Sequence, residues 1–168
     1  MSQVTPPLVS VVIPCRNEKK YIRGCVEAIL QSEYPRLEVI VVDGESDDGT
    51  VAEIDALAKQ YSNVRRVNNP KRLTPYAFNL GVLNSEGEFV QIVGSRNVLD
   101  RHYISQLVRA LQENPQMGCV GGDYQHTFDN DDSRYIAWAM ESKFGVGGSN
   151  YRTMKQSCYV DTVGVPVS

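Results

Sequence analysis

Three short stretches carry residue types that could do chemistry. In the first, the run Leu37-Glu-Val-Ile-Val-Val42 leads into Asp43, and a polar turn, Gly44-Glu-Ser-Asp-Asp-Gly49, follows. A short apolar run bounded by turn residues fits a strand buried on both faces. The carboxyl end of such a strand is where open α/β sheets bind ligands. A carboxylate there can accept the imide N–H of uracil or the hydroxyls of a ribose, which makes Asp43 a candidate binding residue. Asp47 and Asp48 have a plainer explanation as turn and helix-start residues. The second stretch, Pro14-Cys-Arg-Asn-Glu18, follows another apolar run. Arg16 offers a planar charged fork suited to phosphate, and Glu18 can accept hydrogen bonds from a base or ribose. The simpler alternative is that Asn17 or Glu18 only starts a helix. The third stretch joins Lys71-Arg72 to Gly94-Ser95-Arg96 downstream. Paired cations near an acid-bearing strand edge suit a diphosphate, although Lys71-Arg72 alone reads as an exposed loop. His102 and His126 have neither metal spacing nor a partner evident from the sequence, and read as surface or cap residues.

The elements that must position these groups alternate between two periods. Val9–Ile13, Leu37–Val42, Val64–Val67, Glu88–Val93 and Met117–Gly122 read as strands, with a last one at Cys158–Thr162. Between them lie helical stripes: Tyr21/Ile22, Cys25/Val26 and Ile29/Leu30; then Val51, Ile54, Leu57, Ala58 and Tyr61; then Thr74 to about Asn84; then Ile104, Leu107, Val108 and Leu111. Ser133–Phe144 reads as a further helix. Thr50 with Glu53 spells a capping box, Thr74-Pro75 an N-cap before a first-turn proline, and Asp100 a helix cap. Strands alternating with helices predict an α/β domain with a largely parallel sheet. Right-handed crossovers then put the strand ends at Pro14, Asp43 and Gly94 along one edge.

A chain of 168 residues suits one domain, expected over residues 8–168 behind a disordered lead-in at 1–7. A net charge of −3 gives no reason to expect a nucleic-acid or membrane-surface partner. Cys15, Cys25, Cys119 and Cys158 contain no Cys-x-x-Cys pair, and no stretch reads as a signal peptide or a bilayer-spanning run. A soluble, reduced, cytoplasmic protein is the expectation.

Taken in order, these stretches resemble the family 2 glycosyltransferases and their nucleotide-diphospho-sugar-binding, GT-A-type fold. The matching pieces are Val9–Glu18, Glu38–Thr50, Asn79-Leu-Gly81 and Glu86-Gly-Glu-Phe-Val90. Phe144–Ser149 and Tyr159–Val163 look like the subgroup that contains the succinoglycan biosynthesis protein ExoA. The resemblance implies transfer of a sugar from a nucleotide-activated donor, expected to be a UDP-sugar, to a saccharide or lipid-linked acceptor in polysaccharide biosynthesis. Pro14, Arg16, Glu18 and Asp43 would line the nucleotide pocket, with Asp43 on the base. Lys71, Arg72, Ser95 and Arg96 would lie near the ribose and diphosphate.

Two departures bear on chemistry. The family's metal-binding Asp-x-Asp motif, expected after the strand Glu88–Val93 to hold Mg or Mn, reads Gly94-Ser95-Arg96 here. Glycine and arginine side chains cannot serve as oxygen ligands, so no metal ligands are assigned and Arg96 is expected to replace part of the metal's charge. The chain also ends before the region where the family's acceptor side and catalytic carboxylate lie. The fold is therefore expected to be incomplete on the acceptor side, with no catalytic residue assigned and an uncovered surface through which copies could self-associate. The non-enzyme alternative is a nucleotide-sugar-binding module or partner subunit without catalysis. A dinucleotide-binding oxidoreductase is set aside, because Pro14–Glu18 is not a Gly-x-Gly-x-x-Gly turn.

Overall fold

The computed structural model describes residues 5–122 together with 131, 135, 159, 166 and 167. The chain divides into two compact units, one of Met1–Val120 with Val165–Ser168 and one of Gly121–Gly164. In the first, strands and helices alternate as β1 (Val9–Cys15), α1 (Ile22–Leu30), β2 (Leu37–Asp43), α2 (Thr50–Gln60), β3 (Val64–Asn68), α3 (Thr74–Leu83), β4 (Phe89–Ile92) and α4 (Tyr103–Glu113). Two short strands, β5 (Val120–Gly121) and β6 (Pro166–Val167), complete a sheet of order β3-β2-β1-β4-β6-β5. The neighbours among β1 to β4 run parallel, and β6 pairs with β4 antiparallel through Gln91 and Val167. This is the mostly parallel α/β sheet expected from the sequence. Of the predicted helix 133–144 only Tyr135 is among the described residues, where it is helical. Of the predicted strand 158–162 only Tyr159 is described, and it is not in a strand.

The strands' two-residue period decides what packs where. Val9, Val11, Ile13, Val39 and Val41 join one core with Ile22, Cys25, Val26 and Ile29 of α1, Ile54 and Leu57 of α2, and Ile104 and Val108 of α4. Val12, Ile40 and Val42 point the other way, against Ala77 of α3. Burying each of these branched side chains contributes about 1.5–3 kcal/mol. On the α3 side the approach is close: a Cβ on Gly81 would stand 2.1 Å from Val12 Cγ1. No side chain fits there.

At the amino edge of the sheet polar groups close on one another. Glu38 accepts from the Ser10 hydroxyl (2.5 Å), the Glu86 amide (2.7 Å) and Arg65 Nη2 (2.9 Å). The Gly87 amide donates to Ser10 Oγ at 2.8 Å, and Arg65 also donates to the Asn84 carbonyl. A Cβ on Gly87 would lie 2.6 Å from Ser10 Oγ.

Helix starts differ from the sequence expectation in an instructive way. The first helix begins at Ile22 rather than at Asn17 or Glu18, because Asn17 is left-handed (φ 56°) and the carbonyl of Glu18 accepts from Tyr21 and Ile22 instead. The Thr50–Glu53 capping box does not form. Asp48 accepts from the Thr50 amide (2.9 Å) and hydroxyl, and Glu53 turns to Arg23. Thr74 lies inside α3, after the N-cap residue Leu73, and caps nothing. Asp100 accepts from the His102 amide at 2.8 Å, one residue before α4. His102 has a partner after all, Glu33, at 2.8 Å.

Candidate functional site

The strand order contains a reversal. From β1 the chain steps outward to β2 and β3, then returns to the other side of β1 as β4. Parallel α/β sheets bind ligands at such a switch point, in the crevice outside the carboxyl ends of the two diverging strands. Here those ends carry the loop after β1, with Arg16 to Tyr21, and the loop after β4, with Gly94 to Arg96.

The loop after β1 is laced to the loop after β2. The Asn17 amide donates to Ser46 Oγ (2.8 Å), and the Ser46 hydroxyl donates to Asp43 Oδ1 (2.6 Å). In parallel, the Glu18 amide donates to Thr50 Oγ1 (2.9 Å), and that hydroxyl donates to Asp48 Oδ1. Each is a relay from amide through hydroxyl to carboxylate. Two more bonds tie the loops, from the Asp47 amide to Asn17 Oδ1 (3.0 Å) and from the Lys19 amide to Asp48 Oδ2 (3.2 Å). Each such bond contributes about 1 kcal/mol net. Bonds from Thr50 and Lys19 hold the Asp48 carboxyl below its ordinary value, the Thr50 hydroxyl most of all. The Asp48 carboxylate therefore serves the turn, while Asp47 contributes its backbone amide.

Asp43 is 1% exposed. Its Oδ2 accepts from the Ser46 amide at 3.1 Å, and its backbone carbonyl accepts from the Asn69 amide at 2.7 Å. Cys15 Sγ lies 3.8 Å from Oδ1, and burial, with the Asp43 charge second, pushes that thiol up to about 12. Cys15 is consequently inert as a nucleophile. Gly44 leaves room for Arg16 to fold over it: a Cβ there would meet Arg16 Cβ and Cδ at 3.3 Å. The exposed Arg16 guanidinium has no hydrogen bond or ion pair among the described residues. Pro14, half-buried, sits within β1 opposite Val42.

The loop after β3 joins the same edge. Asn69, 2% exposed, donates to the Leu73 carbonyl (3.0 Å) and accepts from the Lys71 amide (3.2 Å). This leaves the Lys71 side chain exposed, and it turns Arg72 back onto Glu45, whose Oε2 accepts from Arg72 Nε at 2.6 Å. Among the described residues the non-glycine positions with positive φ are Asn17 (56°), Glu45 (55°) and Arg72 (58°). They fall one each in the loops after β1, β2 and β3. Such conformations cost on the order of 1 kcal/mol or more for a side chain like Glu or Arg, and they concentrate at functional sites.

Across the switch point Arg96 meets Glu18. Arg96 Nε donates to both carboxylate oxygens, at 2.9 and 3.1 Å. The Glu18 side chain is 13% exposed and that of Arg96 67%. Arg96 also stands over the Tyr21 ring, 5.3 Å from its centroid, and Lys20 Nζ lies 4.9 Å from the same ring. Glu18, Lys19, Lys20, Tyr21, Asp48 and Arg96 are among the residues around a cavity of about 660 Å³ on this side of the loops. Ser95 beside Arg96 is buried.

The model of the family described as "Glycosyl transferase family 2" matches residues 10–163. The chain belongs to that family. A Methanococcus voltae relative, dolichyl N-acetyl-alpha-D-glucosaminyl phosphate 3-beta-D-2,3-diacetamido-2,3-dideoxy-beta-D-glucuronosyltransferase, is 32% identical over 92% of this chain and 50% of its own length. The succinoglycan biosynthesis protein ExoA of Rhizobium meliloti is 31% identical over 85% of this chain and 44% of its own. Among solved structures, the mannosyltransferase PcManGT of Pyrobaculum calidifontis, in complex with GDP-Man and Mn2+, superposes with a TM-score of 0.67. It shares 26% identity, over 82% of this chain and 41% of that one. The sheet and its flanking helices are thus those of a GT-A-type family 2 member, and the chain spans about half the length of these curated relatives.

The sequence candidates separate on the structure. Arg16, Glu18, Asp43 and Arg96 gather in the loops at the carboxyl edge, Lys71 and Arg72 extend it behind β3, and Arg72 is taken up by Glu45. Ser46 groups with Asp43 in the sequence and Asn17 reads as a helix start, whereas Tyr21, placed only in a helix stripe, and Asn69 were not singled out for the site. Asn69 carried a local signal in the turn-forming run Asn68-Asn-Pro70. Among the described residues no side-chain set matches the ligands a divalent metal requires. Gly94 and Arg96 occupy the expected motif, while Glu18 is bound to Arg96, Asp43 to Ser46 and Asp48 to Thr50. Among the described residues no group of three or more His, Cys, Asp or Glu could hold a metal ion.

Proposed function

We propose that this chain is the donor-binding part of a glycosyltransferase that moves a sugar from a nucleotide-diphospho-sugar to a saccharide or lipid-linked acceptor in polysaccharide or glycan synthesis. The observation that carries the proposal is the Glu18–Arg96 pair, which spans the β1/β4 switch point beside a cavity bordered by charged side chains. Arg16 and Lys71 add exposed positive charge around the same loops, suited to a diphosphate. Pro14 at the end of β1 and buried Ser95 beside Arg96 are the proposed neighbours of the donor on either side of that switch point. The Asp43 carboxylate, held by the Ser46 amide and hydroxyl, keeps acceptor positions beyond those two bonds, and these suit a base N–H or a ribose hydroxyl. A UDP-sugar is the proposed donor, and the M. voltae relative's name supports a lipid-linked acceptor. Calorimetry with UDP and GDP tests the reading. Micromolar binding of either nucleotide is expected, and no detectable binding at millimolar concentration sinks it.

A second reading, a nucleotide-sugar-binding module without turnover, is favoured by the engagement of Glu18, Asp43 and Asp48 in the loop framework. All three carboxylates already hold the loops together, and taking the proton of an acceptor hydroxyl would weaken those bonds. Hydrolysis of a radiolabelled UDP-sugar separates the two: slow release of sugar marks a transferase, and binding without release marks the module.

A further inference from the structure

We infer that Arg96, fixed through its Nε by Glu18, takes the place of the divalent metal as the group that neutralises the donor's diphosphate, so that nucleotide binding by this chain needs no metal. The inference rests on the nucleotide-diphosphate reading above. Its first support is the donor set already described, in which glycine and arginine replace the oxygen ligands that Mg or Mn requires. The second is the way Arg96 is held. Both bonds to Glu18 run through Nε, at 2.9 and 3.1 Å, and the two terminal nitrogens have no partner among the described residues. A guanidinium anchored at one edge presents its remaining N–H groups as a fork, the geometry that binds phosphate oxygens in pairs. Glu18 is the positioning residue: it is largely buried, Arg96 is largely exposed, and the charge of one sets the direction of the other.

One arginine carries half the charge of a divalent ion. The same cavity supplies more, since Lys19 and Lys20 line it and Lys20 shares the Tyr21 ring with Arg96. Space is also available for the opposite arrangement. Gly94 has ordinary φ and is exposed, and a Cβ on it would meet only Asn97, at 3.5 Å. That is ordinary contact, so packing at the Cβ does not require glycine there.

The test is calorimetry of the full chain with UDP and GDP, in EDTA and again in excess Mn2+. The affinity of the unsubstituted chain is expected to agree within about twofold between the two conditions, and Arg96→Ala to lose about tenfold or more in both. The paired change Gly94→Asp/Arg96→Asp is expected to restore a metal requirement, with binding about tenfold tighter in Mn2+ than in EDTA. Glu18→Gln should weaken binding less than Arg96→Ala and add nothing in the Arg96→Ala background, a coupling that a merely structural role for Glu18 does not produce. A melt of each variant verifies folding. A tenfold Mn2+ requirement in the unsubstituted chain, or unchanged affinity in folded Arg96→Ala, overturns the inference while leaving nucleotide binding intact. Absence of binding in both conditions overturns the nucleotide reading itself, and this inference with it.

Discussion

The two edges of the sheet use the same residue types to opposite ends. At the amino edge Glu38 accepts from Ser10, Glu86 and Arg65, and Gly87 closes the space beside them. Every strong donor there faces an acceptor within the fold. At the carboxyl edge Asp43, Asp48 and Glu18 are equally engaged, by Ser46, Thr50 and Arg96, yet cations remain turned outward: Arg16, Lys71 and the terminal nitrogens of Arg96. The backbone differs too, with left-handed Asn17, Glu45 and Arg72 all on the carboxyl side. A buried charge alone therefore does not mark a site. What marks it is a framework that fixes its anions internally and leaves its cations unspent.

That contrast can be broken at either edge. The largest effect is expected from Glu38→Ala, which strands Ser10 and Arg65. A loss of about 3 kcal/mol should appear in urea unfolding, with nucleotide affinity of the folded protein unchanged. A matching loss of affinity would mean that the amino edge belongs to the site. Ser46→Ala removes the hydroxyl between the Asn17 amide and Asp43, and should cost about 1–2 kcal/mol of stability together with several-fold in UDP affinity. Stability alone falling would reduce Asp43 to a loop anchor. Arg16→Ala is expected to weaken UDP binding about tenfold, or about 1.4 kcal/mol, with stability within about 0.5 kcal/mol of the unsubstituted chain. A shifted melt without a shifted affinity would make Arg16 a packing residue over Gly44.

The smallest effect is a pH dependence. Burial acts to raise the Glu38 carboxyl, but the Ser10 hydroxyl, the Glu86 amide and Arg65 outweigh it and hold the group below its ordinary value. A depressed carboxyl stabilises the fold fully above its unfolded pKa and loses that contribution as pH falls through the folded one. Chemical unfolding between neutral pH and the acid range should show stability declining below the ordinary carboxylate range, and Glu38→Gln should flatten part of that decline. An identical acid limb in the variant would remove Glu38 from the account.

Much of this arrangement was legible in the residues, and the boundary is physical. Val9–Ile13 and Leu37–Val42 declared themselves because a strand buried on both faces needs an unbroken apolar run, and Asp43 stands out as the acid that ends one. The helix stripes were legible for the same reason, since Ile22, Cys25, Val26 and Ile29 face one core. Caps were not. Thr50 and Thr74 have the right types at the right spacing, but the partner that claims the Thr50 hydroxyl is the Glu18 amide, 32 residues away. The Glu18–Arg96 bond joins positions 78 residues apart, and each reads toward the nucleotide, one at the base or ribose and the other at the diphosphate, with nothing local to pair them. The left-handed turn at Arg72 had no local sign either, because arginine is not a residue that seeks it. Local patterns reveal elements; pairing across the sheet edge has to be seen.

The twin relays through Ser46 and Thr50 carry a consequence for motion. The amides of Asn17 and Glu18 have no strand or helix partner, and their protection from solvent depends on hydroxyls supplied by the turn after β2. The Asp47 amide depends in return on the Asn17 side chain. None of the three can open alone without disturbing another. In hydrogen–deuterium exchange they should behave as one cooperative unit, slowing together when a nucleotide settles on the edge they frame.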